Sequence, residues 1–73
     1  MSISYKPLWK LLIDKELTKM EFRKIAGIST PTLAKLGKGE YVSLEVIERI
    51  CNSLNCKIED VLEIIPEDKN EKR

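Results

Sequence analysis

The residues able to do chemistry crowd into one stretch, Leu17 to Gly39, which reads LTKMEFRKIAGISTPTLAKLGKG. It carries the cations Lys19, Arg23, Lys24, Lys35 and Lys38 and the hydroxyls Thr18, Ser29, Thr30 and Thr32. These groups donate hydrogen bonds and positive charge, which suits holding an anion better than breaking a bond. The chain has no histidine, so the commonest general base, the usual zinc ligand and the physiological pH switch are all missing. It offers no coherent acid pair and no nucleophile–base pair, and an enzyme is not expected. Cys51 and Cys56 cannot close a zinc site by themselves, so neither a metal nor another cofactor is expected. Cys51 falls on an apolar helical stripe and reads as a core thiol, and Cys56 as a staple ahead of the next element.

The net charge of +1 conceals an asymmetry. Residues 1–42 hold eight basic against four acidic side chains, a balance of +4, whereas residues 43–73 hold five against eight, a balance of −3. A polyanion would contact the first half, although an ordinary solvated surface gives the same count. With 42% hydrophobic and 34% charged residues the chain reads as globular, and 73 residues suffice for one domain with a thin core. Dimerisation is the natural supplement to such a core. The longest apolar run, Leu11–Ile13, is far too short to span a membrane. The opening MSISYKPLWKLLIDK is interrupted by Lys10 and lacks a small-residue cleavage site, so it is not a signal peptide. The expectation is a cytoplasmic protein with reduced thiols.

Helix signals recur along the chain. A first helix is expected from near Pro7, whose ring presets φ for a first turn, to near Glu16, with Leu8, Leu11 and Leu12 on one face. Thr18 and Glu21 form a capping box for a second, with Phe22, Ile25 and Ala26 inward and Gly27 at its end. Ser29 caps a third only two residues later, with Pro31 in its first turn, Leu33 and Leu36 inward, and Gly37 and Gly39 closing it. Ser43 caps a fourth, whose apolar set is Leu44, Val46, Ile47, Ile50, Cys51 and Leu54, ending at Asn55. A fifth is expected over Ile58 to Ile65, with Ile58, Val61, Leu62 and Ile65 inward and Pro66 as its stop. Strand signals are nearly absent: Ile3-Ser4-Tyr5 alternates but is very short. The expected fold is therefore all-α, a compact five-helix bundle forming one domain over 1–66 with a polar tail at 67–73.

Two capped helices joined by Gly-Ile-Ser must cross steeply, which leaves the second projecting. This unit, about residues 18–38, resembles the helix-turn-helix of the phage repressor and Cro family of DNA-binding proteins. The pattern G-I-S-x-x-T-L-x-K-L-x-K-G-E, followed by V-S-L-E-V-I-x-x-I-C-x-x-L-N-C, is most similar to short single-domain members from bacteria and mobile elements. The resemblance implies a lambda-repressor-like domain and a transcriptional regulator, in particular a repressor, acting on double-stranded DNA. The third helix would enter the major groove and the start of the second would touch the backbone. Carried over by position, Thr30, Pro31 and Lys35 take the places that face bases, and Thr32 and Lys38 places near phosphates. Ser29 opens the third helix, and Lys19 stands where relatives often bond a phosphate. Chemistry agrees in part: Lys35 can donate to guanine O6 or N7, and Thr30 can meet a base edge or a thymine methyl. Helix-start hydroxyls and solvated lysines are the plainer readings of the same residues. Relatives often carry alanine at Arg23 and glutamate at Gly37, which implies altered packing or a phosphate contact at the first and a looser helix end at the second.

Leu8, Leu11 and Leu12 fill the first helix's share of a small core, and Ile3, Tyr5, Trp9, Ile13, Ile64 and Ile65 are left over. Either the N-terminal arm folds over the first helix, which is plain core packing within the chain, or these residues are the contact of a homodimer on an inverted repeat, since exposed apolar clusters invite a partner. The rival reading is a protein-interaction module, an antitoxin-like or accessory subunit that keeps the fold. A small-molecule ligand is not expected.

Overall fold

The structure, a computed structural model, describes residues 2–66. Three of its four α-helices begin where a side-chain oxygen replaces a missing intrahelical acceptor. Thr18 Oγ1 accepts the Glu21 amide at 3.1 Å, and Glu21 Oε1 accepts the Thr18 amide at 2.8 Å, opening α2 (Lys19–Ala26). Ser29 Oγ accepts the Thr32 amide at 3.2 Å to open α3 (Thr30–Lys38), and Ser43 Oγ accepts that of Val46 at 3.2 Å to open α4 (Leu44–Leu54). The first helix, α1 (Lys6–Asp14), has no side-chain cap. Its Leu8 amide donates instead to the carbonyl of Val61, 3.2 Å away.

All four helices stop in the same way. Glu16, Gly27, Gly39 and Asn55 take φ of 59°, 69°, 74° and 54°, and the next amide folds back on the carbonyl five residues earlier. Those bonds run from Leu17, Ile28, Glu40 and Cys56 to Leu12, Arg23, Lys35 and Cys51, at 2.9–3.2 Å. They satisfy carbonyls that would otherwise be orphaned at a helix end. In α4 the same motif brings Cys51 and Cys56 together, both half-buried. Burial, with Cys51 and Asp60 nearby, pushes the Cys56 thiol up from 9.0 to about 11.

The expected fifth helix does not form. Ile58–Asp60 make a single 3-10 turn, and Glu63–Ile65 form strand β2. It pairs antiparallel with β1 (Ser2–Ser4): Ser2 faces Ile65, Ile3 faces Ile64 and Ser4 faces Glu63. The reason lies in the hydrogen bonds. The Val61 carbonyl accepts the Leu8 amide at the start of α1, and Glu63–Ile65 find their backbone partners in β1 in place of the helical ones. The fold class remains all-α, with four helices and a two-stranded ribbon among the described residues. The expected polar tail, 67–73, lies outside the described residues. None of the described helices is long and apolar enough to cross a membrane.

Leu8, Phe22, Leu36, Ile50 and Val61 are essentially fully buried, one from each helix and one from the C-terminal segment. Burying each is worth roughly 1.5–3 kcal/mol, so each of the four helices and the segment at Val61 is anchored to the common centre. Ile25 and Leu44, expected inward, are exposed instead, as are Ile58 and Ile65. The N-terminal arm does not project for a partner. Ile3 packs against the core, and Tyr5, expected at a dimer contact, is itself a core residue. Pairing with β2 turns the arm inward, and the Tyr5 hydroxyl donates to the Glu40 carbonyl at 2.7 Å, tying the N-terminus to the α3–α4 loop.

Tyr5→Phe removes that bond and leaves the carbonyl short of a partner, so it should cost about 1 kcal/mol in urea unfolding at neutral pH. Burial raises the Tyr5 pKa above its ordinary 10.0. A folded pKa above the unfolded one gives stability that is complete below pH 10 and lost as pH rises through the folded value. The difference between wild type and Tyr5→Phe should therefore shrink above pH 10, and a gap that stays constant up to pH 12 would contradict this account.

Candidate nucleic-acid interface

The α2–α3 connection is Gly27-Ile28-Ser29, and its carbonyls are held from two sides. Arg23 Nη1, from α2, donates to the Ile28 carbonyl at 3.4 Å. Arg49 Nη1, from α4, donates to the Gly27 carbonyl at 3.3 Å, and its Nη2 meets Glu45 Oε2 at 3.4 Å. Arg23 is half-buried, and its Nε is buried without a partner among the described residues. Of the two roles its unusual residue type implied, packing is the one this geometry displays. The side of the turn facing the protein is thus anchored, and Ile28 itself is buried.

From this anchor α3 presents one face to the core and one to solvent. Leu36 is buried and Thr32 and Leu33 are half-buried, whereas Thr30, Pro31, Ala34, Lys35, Gly37 and Lys38 are exposed. At about 100° per residue the exposed set fills one continuous arc from Gly37 through Thr30, Ala34, Lys38 and Pro31 to Lys35. Ala34 and Gly37 are small, and a Cβ at Gly37 would meet nothing within 4 Å. A surface of this shape can approach a groove closely, with Lys35 and Lys38 reaching outward. Four of the sequence-predicted residues, Thr30, Pro31, Lys35 and Lys38, are therefore brought together.

Ser29 and Thr32 are placed differently. The Ser29 hydroxyl donates to Thr32 Oγ1 at 2.9 Å while accepting the Thr32 amide, so both side chains close the first turn of α3. Because Pro31 has no amide proton, Thr30 keeps the one backbone donor of that turn still open to a ligand. Lys19 lies at the first position of α2, apart from the α3 arc, with its ammonium 4.6 Å from the centroid of the Trp9 ring. Glu21 already occupies the Thr18 amide there, which leaves the Lys19 and Met20 amides and the lysine itself for an anion.

Three contributors escape a reading of the sequence alone. Arg49 acts across 22 residues on the turn, and Trp9 acts across ten on Lys19. Ala34 has no polar group to attract notice, and only its place in the middle of the arc marks it. Of the leftover apolar residues, Ile13, Ile64 and Ile65 are exposed, at 73%, 60% and 42%, while Ile3 and Trp9 are half-buried against the core.

A steeply turned pair of helices with a projecting, small-and-basic second helix defines a helix-turn-helix domain of the DNA-binding class. Residues 7–67 match the family model of the Cro/C1-type HTH DNA-binding domain, and the chain belongs to that family. It is similar in structure to the transcriptional regulator VanUg, with a TM-score of 0.86, 52% identity, and coverage of 90% of this chain and 88% of that one. No curated protein sequence matches the chain.

The turn makes a direct demand on Gly27. Its φ of +69° strains any L side chain, yet a Cβ there would meet nothing within 4 Å. Gly27→Ala should thus cost about 1 kcal/mol through the backbone alone. Chemical denaturation of the variant measures it, and an unchanged midpoint would mean that the turn does not need the left-handed conformation.

Proposed function

We propose that this Cro/C1-type helix-turn-helix regulator represses transcription by seating α3 in the major groove of an inverted-repeat operator as a homodimer. The observation that carries the reading is the exposed arc of α3, which no other described element covers. Thr30 and Lys35 read base edges, Pro31 and Ala34 supply van der Waals contact, and Lys19 and Lys38 bond phosphates. Ser29 and Thr32 hold the first turn of α3 against the duplex. The 52% identity to VanUg, a transcriptional regulator, supports the regulatory role. A single small module buries roughly 600–1,000 Å² on DNA, whereas specific complexes bury about 1,000–2,500 Å², and a second subunit makes up the difference. The subunit contact is assigned to Ile13, Ile64 and Ile65, flanked by Ile3 and Trp9. Tyr5 contributes by holding the arm in the core.

Selection from a random duplex library tests the reading. It should enrich inverted repeats whose half-sites lie about 34–36 Å apart, one helical turn. The affinity of the enriched duplex should fall with salt at a log–log slope of about −0.9 per phosphate contacted. Lys35→Ala should relax preference at one position per half-site, at a cost of about 1–3 kcal/mol there. Uniform weakening on every sequence would instead make Lys35 a phosphate contact, and failure to enrich any sequence would remove the operator reading.

The subunit contact has its own test. Burying a few isoleucines at roughly 1.5–3 kcal/mol each sustains a micromolar dimer. Sedimentation should show a dimer for the wild type at roughly 100 μM and a monomer for Ile64→Lys. A wild type that stays monomeric without DNA would overturn a preformed dimer.

A further inference from the structure

Trp9 is the chain's single tryptophan. It stands on α1, one residue off the buried pair Leu8 and Leu12, and is half-buried. The Lys19 ammonium, at the first position of α2, lies over its ring at 4.6 Å. The face of an indole ring is electronegative and attracts a cation. It covers one side of the ammonium and leaves the other side open. A carboxylate partner would instead compete with any incoming phosphate. Glu21 lies only two residues away, but its carboxylate is taken up by the Thr18 amide at 2.8 Å. Among the described residues Lys19 has no ion pair.

A lysine on a solvated surface samples many rotamers and loses that freedom when it grips a phosphate. Here the attraction to the ring favours one placement of the ammonium before any ligand arrives.

We propose that Trp9 is a positioning residue for DNA binding: it holds the Lys19 ammonium at the first turn of α2, open on the side away from the ring to a phosphate oxygen of the DNA backbone. The inference rests on the reading of Lys19 as a phosphate contact. It gives Trp9 a role within one subunit, in addition to its place at the edge of the proposed subunit contact.

A double-mutant cycle on the full chain tests it, using Trp9→Leu, Lys19→Met and the pair. Affinity for a labelled duplex recovered from the random library is measured by anisotropy across a salt series. At an exposed site a cation–π contact corresponds to about two- to fivefold in affinity, which is the expected loss per subunit for Trp9→Leu. Lys19→Met should flatten the salt slope by about 0.9 per subunit. Once Lys19 is gone, Trp9→Leu should have no further effect. Trp9→Phe keeps a ring face and should fall between wild type and Trp9→Leu. It also carries the cycle should thermal unfolding show that Trp9→Leu does not fold. An equal loss in both backgrounds would mean that Trp9 acts through the fold alone and would overturn the proposal. Tighter binding by Trp9→Leu would mean that the ring sequesters the lysine, which also overturns it. If Lys19→Met leaves the affinity and slope of a salt-sensitive complex untouched, the Trp9 role fails while DNA binding through α3 stands. A wild type with no salt-dependent DNA binding removes both.

Discussion

The angle between α2 and α3 is set within Gly27 and Ile28, and the rest of the interface depends on it. Gly27 takes a left-handed φ of 69°, the Ile28 amide returns to the Arg23 carbonyl at 3.2 Å, and Ile28 plugs into the core. Those three constraints fix the path of the chain between the end of α2 and the Ser29 cap that starts α3. Two guanidiniums then hold the turn's own carbonyls, one from α2 and one from α4. The exposed face of α3 is therefore displayed from a joint held on both sides. One half of the arc is built from Gly37, Thr30 and Ala34, small residues that add shape and little reach, and the other half carries Lys38, Pro31 and Lys35.

The remainder of the fold serves to keep α3 uncovered. Four short helices around Phe22 and Leu8 do not enclose a large core, and the termini add what is missing. Val61 fills the centre with its side chain and caps α1 with its carbonyl. Tyr5 fills another part and fastens the loop that follows α3. The exposed surface of α3 is left to bind because other elements complete the core without it.

Local chemistry was legible in the sequence, and distant chemistry was not. Thr18 with Glu21, Ser29 and Ser43 announce helix starts because each cap bonds an amide two or three residues away. Gly27, Gly39 and Asn55 announce ends because few other residues accept a positive φ. Glu16 gave no such signal, since a glutamate in that conformation is unfavourable and only the surrounding bonds maintain it. Ile58, Val61, Leu62 and Ile65 satisfy a helical period, so the segment read as a fifth helix. What competes with it is distant: pairing with β1, and a tie from the Val61 carbonyl to Leu8 more than fifty residues earlier. In the site, Thr30, Pro31, Lys35 and Lys38 followed from the resemblance to the repressor and Cro family, carried over by position, and α3 brings them onto one exposed arc. Arg49 and Trp9 did not, because nothing in their own neighbourhoods points to Gly27 or Lys19. Thr32 looked free in the sequence and turns out to be bonded to Ser29.

The ribbon that joins the two ends has a consequence for how the chain acquires its shape. Bringing residues 2–4 onto 63–65 closes a loop spanning nearly the whole domain, an entropic cost of about 3–4 kcal/mol beyond the constant term. Three residue pairs can repay that only after the helices have collapsed, so the ribbon is the last piece to form and the first to open. Ser2 and Ile65 are direct neighbours across it, with Cα atoms about 5 Å apart. A short covalent bridge would span that gap, and the chain could then be reopened between Glu40 and Val42 without cutting a helix. In such a circular permutant the two strands are joined covalently, and the long loop no longer has to be closed. The order in which the pieces assemble would change while the face of α3 stayed where it is.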